Sequence, residues 1–427
     1  MKSKERTKKE LKMEQDANKK IQEEEIKKTQ EIIISEDVLN TAIAETEIEE
    51  KSKKNNKKNL FGLLFVLLNI IFVVILGFTS FNNGEETASS IGEMFKIWTT
   101  GTNIIYWLTA LGLGLLTLVA EALKFFIMIK KTTNRSLPGL SLKTAIMGKY
   151  YDNITPLGSG GQPFQIFYLA KGGVPGAESM YLPVASFFLN QLAFLILCIV
   201  AFIFGGSLLA GNPLLLTMAI IGAVFSIFLP TMIFVISFMP KLRAKIIRLC
   251  VRVSFKFKFI KNKGAATRKA NKLINDYKRS LILLAKSKGT LILVILLSLI
   301  YQLALCSIPY FVIRACGIAP GQYTYMGSTI EFNWIISLFQ CIFVYAAISF
   351  IPTPGNSGAA ELSFASLFTI FGAFNMSKYW PMAYWRFCCY FLIVLIGVIF
   401  VVVGMIKSSK KRKQELMEQK EKLMNKE

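Results

Sequence analysis

The chain has 427 residues, 53% hydrophobic and 18% charged, with a formal net charge of +23 and no histidine. The missing histidine excludes Ser-His catalysis, His-Glu-x-x-His zinc sites and histidine-dependent acyl transfer. Seven cysteines, at 198, 250, 306, 316, 341, 388 and 389, show no C-x-x-C spacing. They read as small buried apolar residues, so neither a metal nor a cofactor is expected.

Residues 1–59 hold 15 Lys/Arg against 14 Asp/Glu and almost no aromatic residues. Such a segment cannot bury a core and is expected to be a disordered, charged cytoplasmic tail. The first hydrophobic run begins far from the N-terminus, which argues against a cleaved signal peptide. Runs of spanning length lie at 60–78, 103–129, 180–205, 213–239, 289–313, 333–351 and 383–406, with a shorter one at 359–374. The expected fold class is all-α, a polytopic helical membrane protein. The domain expectation is a tail over 1–59, a membrane domain over 60–406 and a basic cytoplasmic tail over 407–427.

Basic residues flank these runs unequally. Residues 51–58 contain five lysines, 130–149 five basic residues and no acid, 241–288 16 basic residues against Asp276, and 407–413 five more. The loop 79–101 instead carries Glu85, Glu86 and Glu93 against Lys96. The positive-inside rule therefore puts both termini, 130–149 and 241–288 on the cytoplasmic side. Segment 241–288 is basic enough to lie on anionic headgroups, a simpler partner than nucleic acid beside so many spans.

Between the cytoplasmic segments lies "ITPLGSGGQPFQIFYLAKGG", residues 154–173. An extra crossing here would break the parity of the two spans that follow. The stretch is therefore expected to be a re-entrant hairpin, with half-membrane helices at about 139–154 and 162–171. The same count makes 359–374 a true crossing, for about eight spans plus the hairpin. A second interrupted stretch, "FIPTPGNSGAAELSF", covers 350–364. Backbone of this kind cannot face lipid, because each unpaired amide costs several kcal/mol there. Helix starts after Gly158, Ser159, Gly160 and Gly161, and after Asn356, Ser357 and Gly358, offer N–H groups to a phosphate or carboxylate. The plainer alternative is a pair of tight turns at the membrane edge.

Outside the tails and the 79–101 loop only six carboxylates remain: Glu121, Asp152, Glu178, Asp276, Glu331 and Glu361. Glu121 has Lys124 three residues on, on the same helical face. Glu361 follows the second glycine turn, and Arg386 opens the last span. Charge in a bilayer is costly enough to mark a functional position by default, the alternatives being a structural ion pair or a snorkelling arginine. Glu178 and Glu331 read as interfacial.

"TPLGSGGQPFQIFYLAKGGVP", "PTPGNSGAAELSFASLF" and "WRFCCYFLIVLIG", in this order, resemble the membrane domain of lysylphosphatidylglycerol synthases (multiple peptide resistance factors) and their stand-alone relatives. "VAEALKFFIMIK" is similar too. The resemblance implies a flippase-like domain moving anionic or aminoacylated lipid between leaflets. It points to Thr155–Gln165, which includes Gln162, to Pro352–Glu361, and to Glu121 and Arg386 as substrate-path positions. Asn356 stands where a glycine is common in the family. The C-terminal "KSSKKRKQELMEQKEKLMNKE" is too short for the soluble aminoacyl-transferase domain of full-length synthases, so a self-contained enzyme is not expected.

The substrate expectation is a membrane phospholipid such as lysylphosphatidylglycerol. The amides of 158–161 and Arg386 or Lys124 would meet phosphate, Gln162 and Gln165 the neutral head, and Glu121 and Glu361 a cationic aminoacyl group. The alternatives are a phosphatidylglycerol lysyltransferase-type enzyme or its membrane subunit, with Asp152 and Glu361 as an acid–base pair, and a pure scaffold. A separate transferase partner and a homo-oligomer stay open.

Overall fold

The computed structural model describes residues 91–155, 158, 160–209, 213–256, 262–325, 327–376, 378–404, 406, 407 and 414. The tail 1–59, the run 60–78, Ser159 and nearly all of 408–427 lie outside these residues. A short helix α1 (Ile91–Thr99) precedes the 31-residue α2 (Asn103–Thr133). Helix α2 stops at Asn134, whose left-handed backbone (φ 54°) turns its N–H onto the Lys130 carbonyl. Next come α3 (Pro138–Ile154), opened by a proline that fixes the first helical φ, and α4 (Gly161–Lys171). Two long apolar helices follow, α5 (Gly176–Gly205) and α6 (Pro213–Phe238). Two basic amphipathic helices, α7 (Pro240–Lys256) and α8 (Lys263–Lys286), then lead to α9 (Lys288–Ala315).

After α9 the chain makes an antiparallel hairpin of β1 (Gly321–Tyr325) and β2 (Ser328–Phe332), which hydropathy does not announce. Asn333 caps α10 (Trp334–Ile348) by accepting from the Ile336 N–H. Helix α11 (Ala359–Leu367) and a six-residue 3₁₀ turn (Thr369–Phe374) precede the last long helix, α12 (Tyr379–Gly404). Helix α12 widens into a π turn over Phe387–Phe391.

Four described helices, α2, α5, α9 and α12, are long and apolar enough to cross a bilayer. Two shorter apolar helices are Pro213–Ser226 and Trp334–Ile348. The molecule is thus a polytopic helical membrane protein, and the count of about eight spans plus a single hairpin is not what the described residues display. Large apolar side chains on the long helices face outward, with Phe204 73% and Leu214 72% exposed, as lipid contact requires.

The two interrupted stretches sit at the bends of two helical hairpins. At 17 and 11 residues, α3 and α4 are about 25 and 16 Å long, short of a hydrocarbon core of about 30 Å. Their outer ends meet, since Arg135 Nη1 donates to the Gly173 carbonyl at 2.8 Å and Gly172 packs on Leu140. The second pair, α10 and α11, is built likewise. Gln340 Nε2 donates to the Leu367 carbonyl across the two arms at 3.1 Å. The returning chain ends against the β hairpin that α10 left, with Phe374 and Tyr323 rings 5.0 Å apart and Gly372 under Tyr325. The expected crossing over 359–374 is therefore the returning arm of a hairpin, broken at Phe368.

Helices α2 and α9 run antiparallel: Arg314 near the end of α9 donates to Tyr106 near the start of α2, while Val294 near the start of α9 shares a core with Phe125 and Met128. The bends of the two hairpins meet as well, α3 packing on the turn Pro354–Asn356. A unit of long helix, hairpin and long helix (α2, α3–α4, α5) thus recurs in the opposite direction as α9, α10–α11, α12. Interrupted segments in corresponding positions of inverted halves mark binding sites in transporters.

Candidate functional site

At the first bend the returning helix finds its partners in the chain itself. The Gly160 N–H donates to Thr155 Oγ1 and the Gly161 N–H to Asp152 Oδ1, both at 2.8 Å. A β-carbon on Gly161 would fall inside the Asp152 carboxylate, so only glycine admits this contact. Two of the amides expected to meet a ligand phosphate are therefore taken by a hydroxyl and a carboxylate. Gly158 is exposed, with its N–H on the Thr155 carbonyl at 3.2 Å, and Gln162 is half-buried. Gln165 is buried and lies on Gly148 across the hairpin, a packing position away from the bend.

At the second bend, Gly355, Asn356 and Gly358 all take positive φ (59°, 53° and 88°). Glu361 Oε2 accepts from the Gly358 N–H at 2.7 Å, as the third residue of a helix does in a capping box. Its other oxygen, Oε1, lies 2.8 Å from Arg386 Nε of α12. Arg386 Nη2 donates to the Gly355 carbonyl and to Ser357 Oγ, each at 3.0 Å, and the guanidinium lies 4.8 Å from the Tyr390 ring centroid. Tyr390 joins the bends, because its hydroxyl reaches the Asn153 carbonyl at 3.4 Å while its ring covers Gly355. No side chain larger than hydrogen fits at Gly355 beneath that ring.

Glu121 and Lys124 form a separate knot. Lys124 Nζ lies 2.8 Å from Glu121 Oε2 and donates to Asn190 Oδ1 at 2.7 Å. Ser186 Oγ donates to Glu121 Oε1 at 3.0 Å, and Asn190 Nδ2 to Oε2 at 3.2 Å. Lys149 of α3, three residues before Asp152, holds its ammonium 4.5 Å from the Tyr301 ring centroid. Helix α3 thus runs from the knot to the meeting of the bends, and three acids (Glu121, Asp152, Glu361) balance three bases (Lys124, Lys149, Arg386) along this seam.

Sequence reasoning did not single out Ser186, Asn190, Lys149, Tyr301 or Tyr390. Ser186 and Asn190 stand four apart in a largely apolar helix, a spacing that puts two polar groups on one face and is readable in advance. Tyr390 carries no such signal. Among the described residues no three His, Cys, Asp or Glu side chains gather into a metal-binding group.

Long apolar helices around an inverted pair of hairpins with arms shorter than a bilayer core, and ionisable groups at the bends, define a polytopic membrane protein of transporter-like organisation. The model of the lysylphosphatidylglycerol synthase transmembrane region matches residues 59–397, and the chain belongs to that family. The matched model is that of the membrane region alone. No curated protein and no solved structure matches the chain.

Proposed function

We propose that this protein translocates an anionic or aminoacylated phospholipid, such as lysylphosphatidylglycerol, between membrane leaflets. The observation that carries the reading is the cluster of Arg386, Ser357 and Glu361 at the second hairpin bend, whose turn Pro354–Asn356 packs on α3 of the first hairpin. Membership of a lipid-handling membrane family supports it from a second side. The Arg386 guanidinium and Ser357 hydroxyl take the lipid phosphate, and Glu361 attracts the cationic aminoacyl group. The acyl chains stay outside, along the exposed apolar faces of the long helices.

The proposed orientation combines the basic loops with the hairpins. Helix α2 runs in toward the cytoplasm, and the first hairpin dips in from the cytoplasmic side. Helix α5 then leaves, α6 returns, and α7 and α8 lie on anionic headgroups. Helix α9 leaves, the second hairpin dips in from outside, and α12 returns. The charge rule puts both termini in the cytoplasm, and crossings by the described helices α2, α5, α6, α9 and α12 keep 130–149, 241–288 and Lys407 there without one at 359–374. The test is reconstitution into proteoliposomes with fluorescent phosphatidylglycerol and dithionite quenching. The reading requires faster exchange than in protein-free vesicles, and an unchanged rate refutes it.

A further inference from the structure

We infer that Glu361 is a built-in stand-in for the lipid phosphate: it holds Arg386 while the site is empty, and the arriving phosphate displaces it. This inference rests on the headgroup site proposed above and assigns a role to its carboxylate. The two buried cations of the seam that make ion pairs have very different counter-ions. Around Lys124 everything is sealed, with side-chain exposures of 1% for Lys124 and 3% for Glu121. Around Arg386 the cation is sealed at 7% while Glu361 is 23% exposed. The open partner is the carboxylate, so an anion arriving from outside meets Glu361 first and Arg386 behind it.

Chemistry favours exchange at this position. A phosphodiester supplies the single negative charge that Arg386 pairs with, and the ammonium of an aminoacyl headgroup offsets the carboxylate it releases, so the seam stays neutral, as a bilayer interior requires. A phosphodiester also presents two oxygens to the planar guanidinium fork. The Ser357 hydroxyl, already 3.0 Å from Arg386 Nη2, stands beside the same anion position. Glu361 does not become idle on release. It keeps its place in the first turn of α11 and offers its charge to an ammonium on the same headgroup, which couples recognition of phosphate to recognition of an aminoacyl group.

The decisive variant is Glu361→Gln. Gln serves a capping box as Glu does, so the Gly358 N–H keeps its acceptor and only the competing charge is lost. Purified full-length protein in neutral detergent is titrated with dihexanoyl phosphatidylglycerol and, in a parallel arm, with inorganic phosphate. Thermal melts verify that each variant is folded. Displacement requires Glu361→Gln to bind phosphatidylglycerol about tenfold more tightly than the native protein, and Arg386→Gln about tenfold more weakly, the usual effect of one charge-assisted hydrogen bond. Arg386→Lys, which keeps the charge, stands in if Arg386→Gln does not fold, and a severalfold loss is then expected. Tighter binding of inorganic phosphate to Glu361→Gln also supports displacement and assigns the recognised anion to the free ion. If Glu361→Gln binds equally or more weakly while Arg386→Gln loses binding, the headgroup site stands and displacement is wrong. If native protein and Arg386→Gln bind alike, the headgroup site itself falls. Absence of binding to both native protein and Glu361→Gln overturns displacement.

Discussion

The Glu121–Lys124 pair and the Glu361–Arg386 pair have the same N···O distance, 2.8 Å, and opposite designs. The first spans three residues of one helix and is wrapped by Ser186 and Asn190 of α5, so every charged atom in it is tied within the core. The second spans 25 residues, ties a hairpin bend to a separate helix, and leaves its carboxylate partly open. A buried pair is costly to break because the surviving charge has nowhere to go. A pair with one open member can exchange that member. The difference teaches that exposure of the counter-ion, rather than the length of the bridge, separates a structural ion pair from a usable one.

Breaking the sealed pair gives the largest expected effect. Lys124→Met leaves Glu121 charged in the core and lowers stability by roughly 3–5 kcal/mol. Adding Glu121→Gln restores much of that loss, since neutral Gln, Ser186 and Asn190 still satisfy one another. Thermal unfolding of single and double variants measures both steps, and additive losses contradict the sealed-pair reading. Gly355→Ala comes next, at about 1–3 kcal/mol, because φ is positive there and the Tyr390 ring occupies the β-carbon position. Pairing it with Tyr390→Leu removes the ring clash and recovers part of the loss in the same melting experiment.

Glu361→Gln costs less than Lys124→Met, about 1–2 kcal/mol, because its cap survives and Arg386 keeps the Gly355 carbonyl, the Ser357 hydroxyl and the Tyr390 ring. A loss as large as that of Lys124→Met erases the contrast between the two pairs. The smallest effect belongs to Tyr390→Phe, within about 0.5 kcal/mol, since the bond to the Asn153 carbonyl is long at 3.4 Å. A larger shift in midpoint makes the hydroxyl, not the ring, the join between the bends.

Local features were the legible ones. Helix rise predicts arms at 139–154 and 162–171, and the helices Pro138–Ile154 and Gly161–Lys171 lie within a residue of them. The Glu121–Lys124 pair follows from i,i+3 spacing and is made in the fold. The second hairpin misled because hydropathy records how greasy a segment is, not which way it runs. The break at Phe368 (φ −90°, ψ 61°) hides among apolar residues, and the return onto β1 depends on Tyr323 and Tyr325, far off in sequence. Glu361 and Arg386 were each noticed, but their pairing is a tertiary fact that no spacing encodes. The occupied amides of Gly160 and Gly161 likewise emerge only once Thr155 and Asp152 fold back upon them.

Directly after Arg386, α12 spends one extra residue on the turn Phe387–Phe391. A π turn absorbs its extra residue within one wider turn, so the helix beyond keeps the phase of a plain α-helix one residue shorter. Gly397 thus seats on Tyr150, and Ile393 joins the core of Leu118 and Ile146, as they would on an uninterrupted helix. The spare residue therefore loosens the coil only where the arginine is seated, and trimming it from within the turn is expected to tighten that spot while both halves stay docked.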